Sequence, residues 1–269
     1  MKISIITPTF NSDKIISGNV NSILSQSYKN YEHIIIDNLS SDNTILTVKS
    51  LFENSGNTIQ LNIISEKDNG IADAFNKGII ASKGEIIGIL NSDDKYFNDS
   101  VFERVINTFD NEKILFVHGD VLFNDPTYGS NIRKPLLCPV TYALPFNHPT
   151  MFFRREVYME HGRFDIRYKY SMDFEFICRL TKQVDDFYNK GIYLKGEPLV
   201  TMAAGGASWK NELDSIEETK KVLKKYNYWN FDAKKNYILR VFRTKLKILL
   251  SNIGLKRIIV HWRKRKWEN

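Results

Sequence analysis

The chain has 269 residues, of which 42% are hydrophobic and 26% are charged, and its net charge is +7. This composition is ordinary for a soluble globular protein, and the length suffices for one large or two small domains, which excludes a disordered or fibrous chain. No window has the ~18 apolar residues of a membrane span, and the apolar N-terminus, interrupted by Pro8, is too short for a signal peptide. Cys138 and Cys178 lack the spacing of a metal site and favour a reducing compartment.

The positive charge is concentrated at the C-terminal end. Residues 240–269 contain ten Lys and Arg residues and one acid, Glu268, so this segment carries +9 and leaves −2 for the rest of the chain. An affinity for anions is therefore predicted for the tail and not for the whole protein.

The first ninety residues alternate between two patterns of apolar residues. Short apolar runs, which predict strands, are separated by segments whose apolar residues recur at helical spacing. The predicted strands cover residues 3–8, 31–37, 61–65 and 85–90, and the predicted helices cover 12–26, 40–54 and 70–82. This alternation is typical of βαβ units, so the sequence predicts a parallel sheet with helices on its faces.

The second half of the sequence is less regular. Its predicted elements are a strand at 114–123, an ordered proline-rich loop at 135–150, a strand that leads into a short helix at 150–162, a helix at 171–183, a flexible turn at 203–209 and a helix at 211–226.

Polar residues follow each of the four predicted N-terminal strands. They lie at 8–11, 37–38, 65–68 and 91–94. Because ligands of such sheets bind beyond the carboxyl ends of the strands, we expect these segments to form one site.

Asp93 and Asp94 follow an apolar strand, after Asn91 and Ser92. Two adjacent carboxylates repel each other and cost free energy when they lose water, so the pattern indicates a bound cation. Mg²⁺ and Mn²⁺ typically take one or two carboxylates together with water and phosphate oxygens. The alternative is an Asx turn that caps a helix starting near Asn98.

Two further segments carry candidate ligand-binding side chains. Asp37, at the end of the second strand, could accept hydrogen bonds from a nucleobase or ribose, or could cap the following helix. Asp73, Asn76 and Lys77 lie within about one helical turn, where Asp73 and Lys77 could face a substrate or form an intrahelical ion pair.

Asp173 and Glu175 lie at the start of a predicted helix, two positions apart, and therefore face different directions. We expect Asp173 to be a general base with Glu175 in support; the alternative is a favourable placement of acids near a helix N-terminus. His148, after the proline-rich loop, is either a hydrogen-bond donor to a substrate or a structural residue.

Six motifs, taken together, resemble family 2 glycosyltransferases, and they are most similar to the branch that extends bacterial surface polysaccharides. They occur in the family's order over about residues 1–210: ITPTFN, IIIDNLSSDNT, SEKDNGIADAFNKGI, GEIIGILNSDD, NHPTMFFRREVYMEHGRFD and SMDFEFICRL. The resemblance implies a GT-A fold, which is an α/β architecture with a Rossmann-like, mostly parallel sheet flanked by helices. It also implies a nucleotide-diphosphate-sugar donor, a divalent metal ion (Mn²⁺ or Mg²⁺) and inversion at the anomeric carbon.

The resemblance also assigns roles to residues. Asp173 matches the general base, and Asp93 and Asp94 match the metal-and-ribose motif, with Asp94 the direct metal ligand. The segment GGAS at 205–208 resembles a mobile loop near the donor, whereas Asn38 departs from the family's usual acid or glycine. The nucleotide-sugar site then consists of Pro8, Phe10, Asn11, Asp37 as the contact to uracil, Asp68, Asp73, Asn76, Lys77, Asp93 and His148.

These expectations define two domains: a catalytic domain at 1–210 and a basic helical C-terminal extension at 211–269. From residue 236 onwards large apolar residues alternate with cations, which predicts helices that lie on an anionic membrane surface. The alternatives are a helix packed on the domain and a nucleic-acid-binding segment; the nucleotide site argues against the second.

The sequence thus predicts a metal-dependent, inverting glycosyltransferase that is peripheral on the cytoplasmic face of the plasma membrane and acts on a glycan or a lipid-linked acceptor. The alternative is a non-catalytic nucleotide-sugar-binding protein with the same fold. A nucleotidyltransferase is disfavoured because no glycine-rich, lysine-bearing phosphate loop follows the first strand.

Overall fold

The computed structural model of the protein describes residues 1–125, 129–203, 206 and 211–254. Two sheets are formed by strands β1 (Ile3–Thr9), β2 (Tyr31–Asp37), β3 (Gln60–Ser65), β4 (Ile86–Ile89), β5 (Lys95–Tyr96), β6 (Phe116–Gly119), β7 (Val121–Asp125), β8 (Gly129–Arg133), β9 (Phe152–Arg154), β10 (Gly191–Leu194) and β11 (Val200–Ala203). The helices are α1 (Ile16–Leu24), α2 (Thr44–Asn54), α3 (Ile71–Ala81), α4 (Val101–Ile106), α5 (Arg155–Glu160), α6 (Met172–Gln183), α7 (Glu212–Lys225) and α8 (Phe231–Asn252).

The larger sheet has seven strands in the order β10-β6-β9-β4-β1-β2-β3, and the smaller sheet has the order β5-β11-β7-β8. In the larger sheet every pair is parallel except those made by β9, which runs antiparallel to both β4 and β6. The predicted mostly parallel α/β sheet is therefore confirmed. The strand order reverses between β1 and β4, and crevices at such reversals are where open α/β sheets bind their ligands.

Apolar cores lie on both faces of the larger sheet. Along β1, Ile5 packs with α4 residues on one face, whereas the next residue, Ile6, packs with α3 residues on the other. This follows from the period of two of a β-strand. Helix α3 lies very close to β1, since a Cβ atom at Gly78 would be 2.3 Å from a methyl group of Ile6. Only glycine permits that approach without a shift of the neighbouring side chain.

One predicted strand, 114–123, is wrong as a single element. The chain leaves the larger sheet after Gly119 and enters the smaller sheet at Val121, so the segment forms two strands, β6 and β7. Asp120 lies at the crossing, where its side chain accepts a hydrogen bond from the Tyr193 hydroxyl and its carbonyl accepts one from the Leu199 amide. Two long-range contacts thus divide an apolar run that looks continuous in the sequence.

The C-terminal helices pack against the preceding domain. Ile216, Val222 and Leu223 of α7 and Ala233 of α8 are buried in or beside the apolar cluster that includes α6. Helix α8 begins where the Asn230 side chain accepts a hydrogen bond from the Ala233 amide. Among the described residues, no helix combines the length and apolarity that crossing a bilayer requires. The domain boundary at residue 210 stays a prediction, and residues 255–269 of the basic tail lie outside the described residues.

Candidate active site

The acidic turn at 91–94 follows β4, at the reversal of strand order. The Asp94 amide donates to the Asn91 carbonyl at 3.0 Å, which closes the turn. Asp93 is exposed, whereas Asp94 is 2% exposed and its Oδ1 accepts a hydrogen bond from the Ala203 amide at the end of β11, at 3.2 Å. The hydroxyl groups of Ser12, in the loop after β1, and of Ser92, in the acidic turn, lie 3.1 Å apart, within hydrogen-bond distance. The turn therefore lies where loops from β1, β4 and β11 meet.

The electrostatics of this turn fit a divalent cation. Burial, followed by the neighbouring charge of Asp93, raises the pKa of Asp94 to about 8. In the part of the chain that the structure describes, no Lys, Arg or His forms an ion pair with either carboxylate. Nor does a third acidic, His or Cys side chain complete a metal-binding cluster there. Two uncompensated carboxylates are the donor set of a hard cation whose remaining ligands are water and phosphate.

The alternative role of this pair, as the cap of the next helix, is not what the structure shows. In the first turn of α4 the Phe102 amide donates to the Gln26 side chain at 3.0 Å. The Ser100 amide, just before the helix, donates to the Asn98 side chain at 3.2 Å. The Asp94 carboxylate is instead directed toward Ala203 and the Asn91 side chain.

Asn19 positions the acidic turn by hydrogen bonds to its backbone, a role that was not predicted from the sequence. Its side-chain amide, buried on α1, donates to the carbonyls of Asn91 at 2.8 Å and of Asp94 at 3.1 Å. Thr7 on β1 donates to Asn19 Oδ1 at 3.4 Å and lies 3.0 Å from the ring of buried His33. The sequence does carry a signal, because Asn19 is a polar residue next to Val20 on the apolar face of α1.

The predicted nucleoside pocket is built from linked loops. Asp37 is fully buried and accepts hydrogen bonds from the Ser40 amide at 3.1 Å and from the Ser65 hydroxyl at 2.6 Å. Asn11 joins the β1 loop to the β2 loop, since its amide donates to the Ser40 hydroxyl at 2.8 Å and its Oδ1 accepts from the Ser41 amide at 2.9 Å. Asp37 thus caps its own loop in the structure, and its contact with a base stays a prediction.

Pro8 and Phe10 differ in their exposure. Pro8 is buried within β1, opposite Ile36 of β2, whereas Phe10, two residues further on and just after the end of β1, is exposed. The roles of both residues in the nucleoside pocket stay predictions.

Helix α3 and the loop before it hold four predicted ligands in structural contacts. Asp68 Oδ1 accepts a hydrogen bond from the Gly70 amide at 2.8 Å, and Asp73 accepts one from the Asn69 amide at 2.9 Å. Both groups of the Asn76 side-chain amide pair with the backbone of Phe164, at 2.8 and 2.9 Å. These contacts shape the β3–α3 loop, and the ligand roles of the residues stay predictions.

Lys77 is the fourth of these residues. It forms an ion pair with Glu66 at 2.8 Å, and its distance to Asp73 is 4.0 Å. The intrahelical pair considered from the sequence is therefore the weaker of its two ion pairs. Ion pairs at the surface contribute about 0–1 kcal/mol, and the ligand role of Lys77 stays a prediction.

Asp173 and His148 lie close enough for the charge of Asp173 to act on the imidazole of His148. Asp173 lies in the first turn of α6 and accepts a hydrogen bond from the Phe174 amide at 2.7 Å. His148 is stacked 5.8 Å from the ring of Phe75; burial lowers its pKa, and the nearby charge of Asp173 opposes this effect. The short 3₁₀ turn that carries His148 contacts β4 and β11, the two strands that position Asp94.

Glu175 does not support Asp173, which corrects the sequence interpretation. Its side chain is 1% exposed and forms ion pairs with Arg179 at 3.0 Å and with Lys225 of α7 at 2.8 Å. The Tyr226 hydroxyl also donates to it. The two acids face different directions, as their spacing predicts, and Glu175 joins α6 to α7. The predicted GGAS loop lies almost entirely outside the described residues.

Comparisons with known proteins identify the class that this fold and site define. The family described as Glycosyl transferase family 2 matches residues 4–171, and the chain belongs to that family. A PGL/p-HBAD biosynthesis glycosyltransferase of Mycobacterium bovis is 27% identical over 180 residues, which are 65% of this chain and 68% of the relative. The Escherichia coli UDP-Glc:alpha-D-GlcNAc-diphosphoundecaprenol beta-1,3-glucosyltransferase WfgD is 34% identical over 118 residues, or 44% of this chain and 45% of the relative. The family match confirms the predicted family.

Solved structures confirm the GT-A fold. Residues 1–349 of TarS of S. aureus in complex with UDP have a TM-score of 0.64 and 18% identity, and the match covers 87% of this chain and 68% of that solved chain. The mannosyltransferase PcManGT of Pyrobaculum calidifontis, in complex with GDP-Man and Mn²⁺, has a TM-score of 0.63 and 14% identity, with 94% and 79% covered.

Proposed function

We propose that the protein is an inverting glycosyltransferase that moves a sugar from a UDP-sugar to a hydroxyl group of a glycan or lipid-linked acceptor. The observation that carries this proposal is the pair Asp93 and Asp94 in the turn after β4, which has no ion-pair partner among the described residues, together with a separate carboxylate, Asp173, on α6. A transferase that inverts in one displacement needs these two elements: a site for the leaving diphosphate and a base for the acceptor.

Asp173 is the residue that would take the proton from the acceptor hydroxyl as its oxygen attacks the anomeric carbon. Attack from the face opposite the leaving group inverts the configuration at that carbon. His148, next to Asp173, would orient the donor sugar or the base. Asp94 and Asp93 would hold Mn²⁺ or Mg²⁺, which when bound neutralises negative charge on the leaving nucleoside diphosphate.

The choice of donor and acceptor rests on relatives. WfgD is named for UDP-Glc and a diphosphoundecaprenol-linked acceptor, and TarS was solved with UDP-GlcNAc, whereas PcManGT was solved with GDP-Man. A uridine donor is supported by the first two, and a lipid-linked acceptor by WfgD. We place the reaction at the cytoplasmic face of the plasma membrane, where such an acceptor is exposed to nucleotide sugars.

The variant Asp173→Asn tests the proposal, because it keeps the shape of the side chain and removes the base. With donor, acceptor and Mn²⁺, we expect turnover to fall by roughly 10²–10⁴-fold, the usual contribution of general-base catalysis. The donor affinity of the variant, measured by calorimetry, should stay within about twofold of the parent's. The base acts on the acceptor hydroxyl, so the free energy of donor binding does not depend on it.

Asp185→Asn is the matched control, since Asp185 is an exposed acid just beyond the other end of α6. It should retain full turnover. Turnover of Asp173→Asn within tenfold of the parent would contradict the role of Asp173. Failure of the unmodified protein to release nucleoside diphosphate with any acceptor would favour the non-catalytic binding protein.

A further inference from the structure

Helix α8 has an apolar stripe on the side that faces away from the protein. The stripe consists of Phe231, Ile238, Phe242 and Leu249, which are 78%, 63%, 63% and 56% exposed. Their separations of seven, four and seven residues bring them within about 40° of one another around a helix with 3.6 residues per turn. Four large apolar side chains are therefore aligned in solvent along about 27 Å of helix.

The opposite side of the same helix is already occupied. Ala233 and Thr244 are buried there, and Tyr237 and Arg240 line a narrow crevice that α8 shares with α7 and with residues 140–142. Packing on the domain, the alternative considered for this segment, thus accounts for one face of α8. It leaves the apolar stripe without a partner among the described residues.

Cations flank the apolar stripe. Lys234, Lys235 and Lys245 are exposed, and their positions on the helix lie within about 60° of the stripe. The sequence from 233 to 267 contains no Asp or Glu, so positive charge continues beyond the end of the helix. An apolar face bordered by lysines is the pattern of a helix that lies in the interface of an anionic membrane.

We infer that the apolar stripe of α8 is a membrane-binding surface, whose apolar side chains enter the headgroup region while the flanking lysines meet anionic lipid. A second copy of the chain fits this surface less well. In a two-fold symmetric dimer the same patch meets itself, so the lysines of one α8 would face those of the other. The helix is also not apolar enough to cross the bilayer, in agreement with a position in its plane.

Vesicle flotation of the full chain tests this inference. We expect the parent protein to float with vesicles of phosphatidylcholine and phosphatidylglycerol, and far less with phosphatidylcholine alone, because the lysines are attracted only to an anionic surface. The double variant Ile238→Ser, Phe242→Ser should reduce the partition coefficient at least about tenfold, since even half-burial of two such side chains is worth more than 1.4 kcal/mol. Its melting temperature should not change, because both side chains are exposed.

Ile80→Ser is the matched control: Ile80 is 59% exposed on α3, outside the stripe, and its variant should float like the parent. Undiminished flotation of the double variant would overturn the inference and attribute binding to the basic tail, which that variant retains. Absence of flotation for the parent would also overturn it, as would a dimer, seen by light scattering, that the double variant converts to monomer. Turnover of the double variant on a water-soluble acceptor should equal the parent's, so the outcome is independent of the proposed function.

Discussion

Replacement of Glu175 by Gln tests whether this acid joins two helices or assists the base. Gln keeps the shape of the side chain but removes the anion that Arg179 and Lys225 share, although Lys225 keeps its second ion pair, with Asp165 at 3.2 Å. Removing one partner of a buried ion pair costs about 3–5 kcal/mol. Lys225 is 35% exposed and retains Asp165 as a partner, so water and that carboxylate relieve part of this cost, and we expect a loss near the lower limit, about 3 kcal/mol.

This loss converts into a measurable shift in melting temperature. An unfolding entropy of about 2.1 cal/mol/K per residue gives about 0.56 kcal/mol/K for a chain of 269 residues. A loss of about 3 kcal/mol therefore lowers the melting temperature by about 5 °C, which calorimetry or dye-binding fluorimetry resolves easily.

The control is Glu160→Gln, since Glu160 is an acid of α5 whose side chain is 69% exposed, and its melting temperature should not change. Turnover of Glu175→Gln, measured well below the melting temperature, should stay within about twofold of the parent. An unchanged melting temperature combined with a hundredfold loss of turnover would refute the structural role. That result would restore Glu175 as a support for Asp173.

Two other substitutions test the interior of the site and of the sheet. Asn19→Leu removes both hydrogen bonds to the acidic turn, so we expect a loss of about 1–3 kcal/mol in urea unfolding and weaker Mn²⁺-dependent binding of UDP by calorimetry. A variant with unchanged Mn²⁺-dependent binding would rule out the positioning role of Asn19. Burial lowers the pKa of His118 to about 4, below the ordinary 6.5, so the neutral form stabilises the fold fully above pH 6.5 and stability is lost as pH falls toward 4. His118→Phe should reduce that loss by up to about 1.4 kcal/mol per pH unit. The free energy of unfolding is measured by urea titration at pH 7 and at pH 4.5, and an equal decrease between the two pH values in both proteins would contradict this.

The sequence predicted those parts of the site that depend on the order of apolar and polar residues along the chain. The short apolar runs of the strands and the 3.6-residue period of the helices are set by neighbouring residues, so β1 to β4 and α1 to α3 were predicted. Asp93 and Asp94 stand where a strand ends, and their convergence with the loops after β1 and β2 follows from a parallel sheet. The six motifs carried the family, which the comparisons confirm.

What the sequence alone determined is the order of the elements, the edge of the sheet that carries the polar residues, and the family. The tertiary structure decided which side chain each polar residue meets. Asn19 reaches Asp94 across 75 residues of sequence, Ala203 reaches it across 109, and Glu175 meets Lys225 across 50. Such pairs depend on how helices and strands pack, and no local period records them. For the same reason only the folded chain shows that α8 has one covered face and one open face.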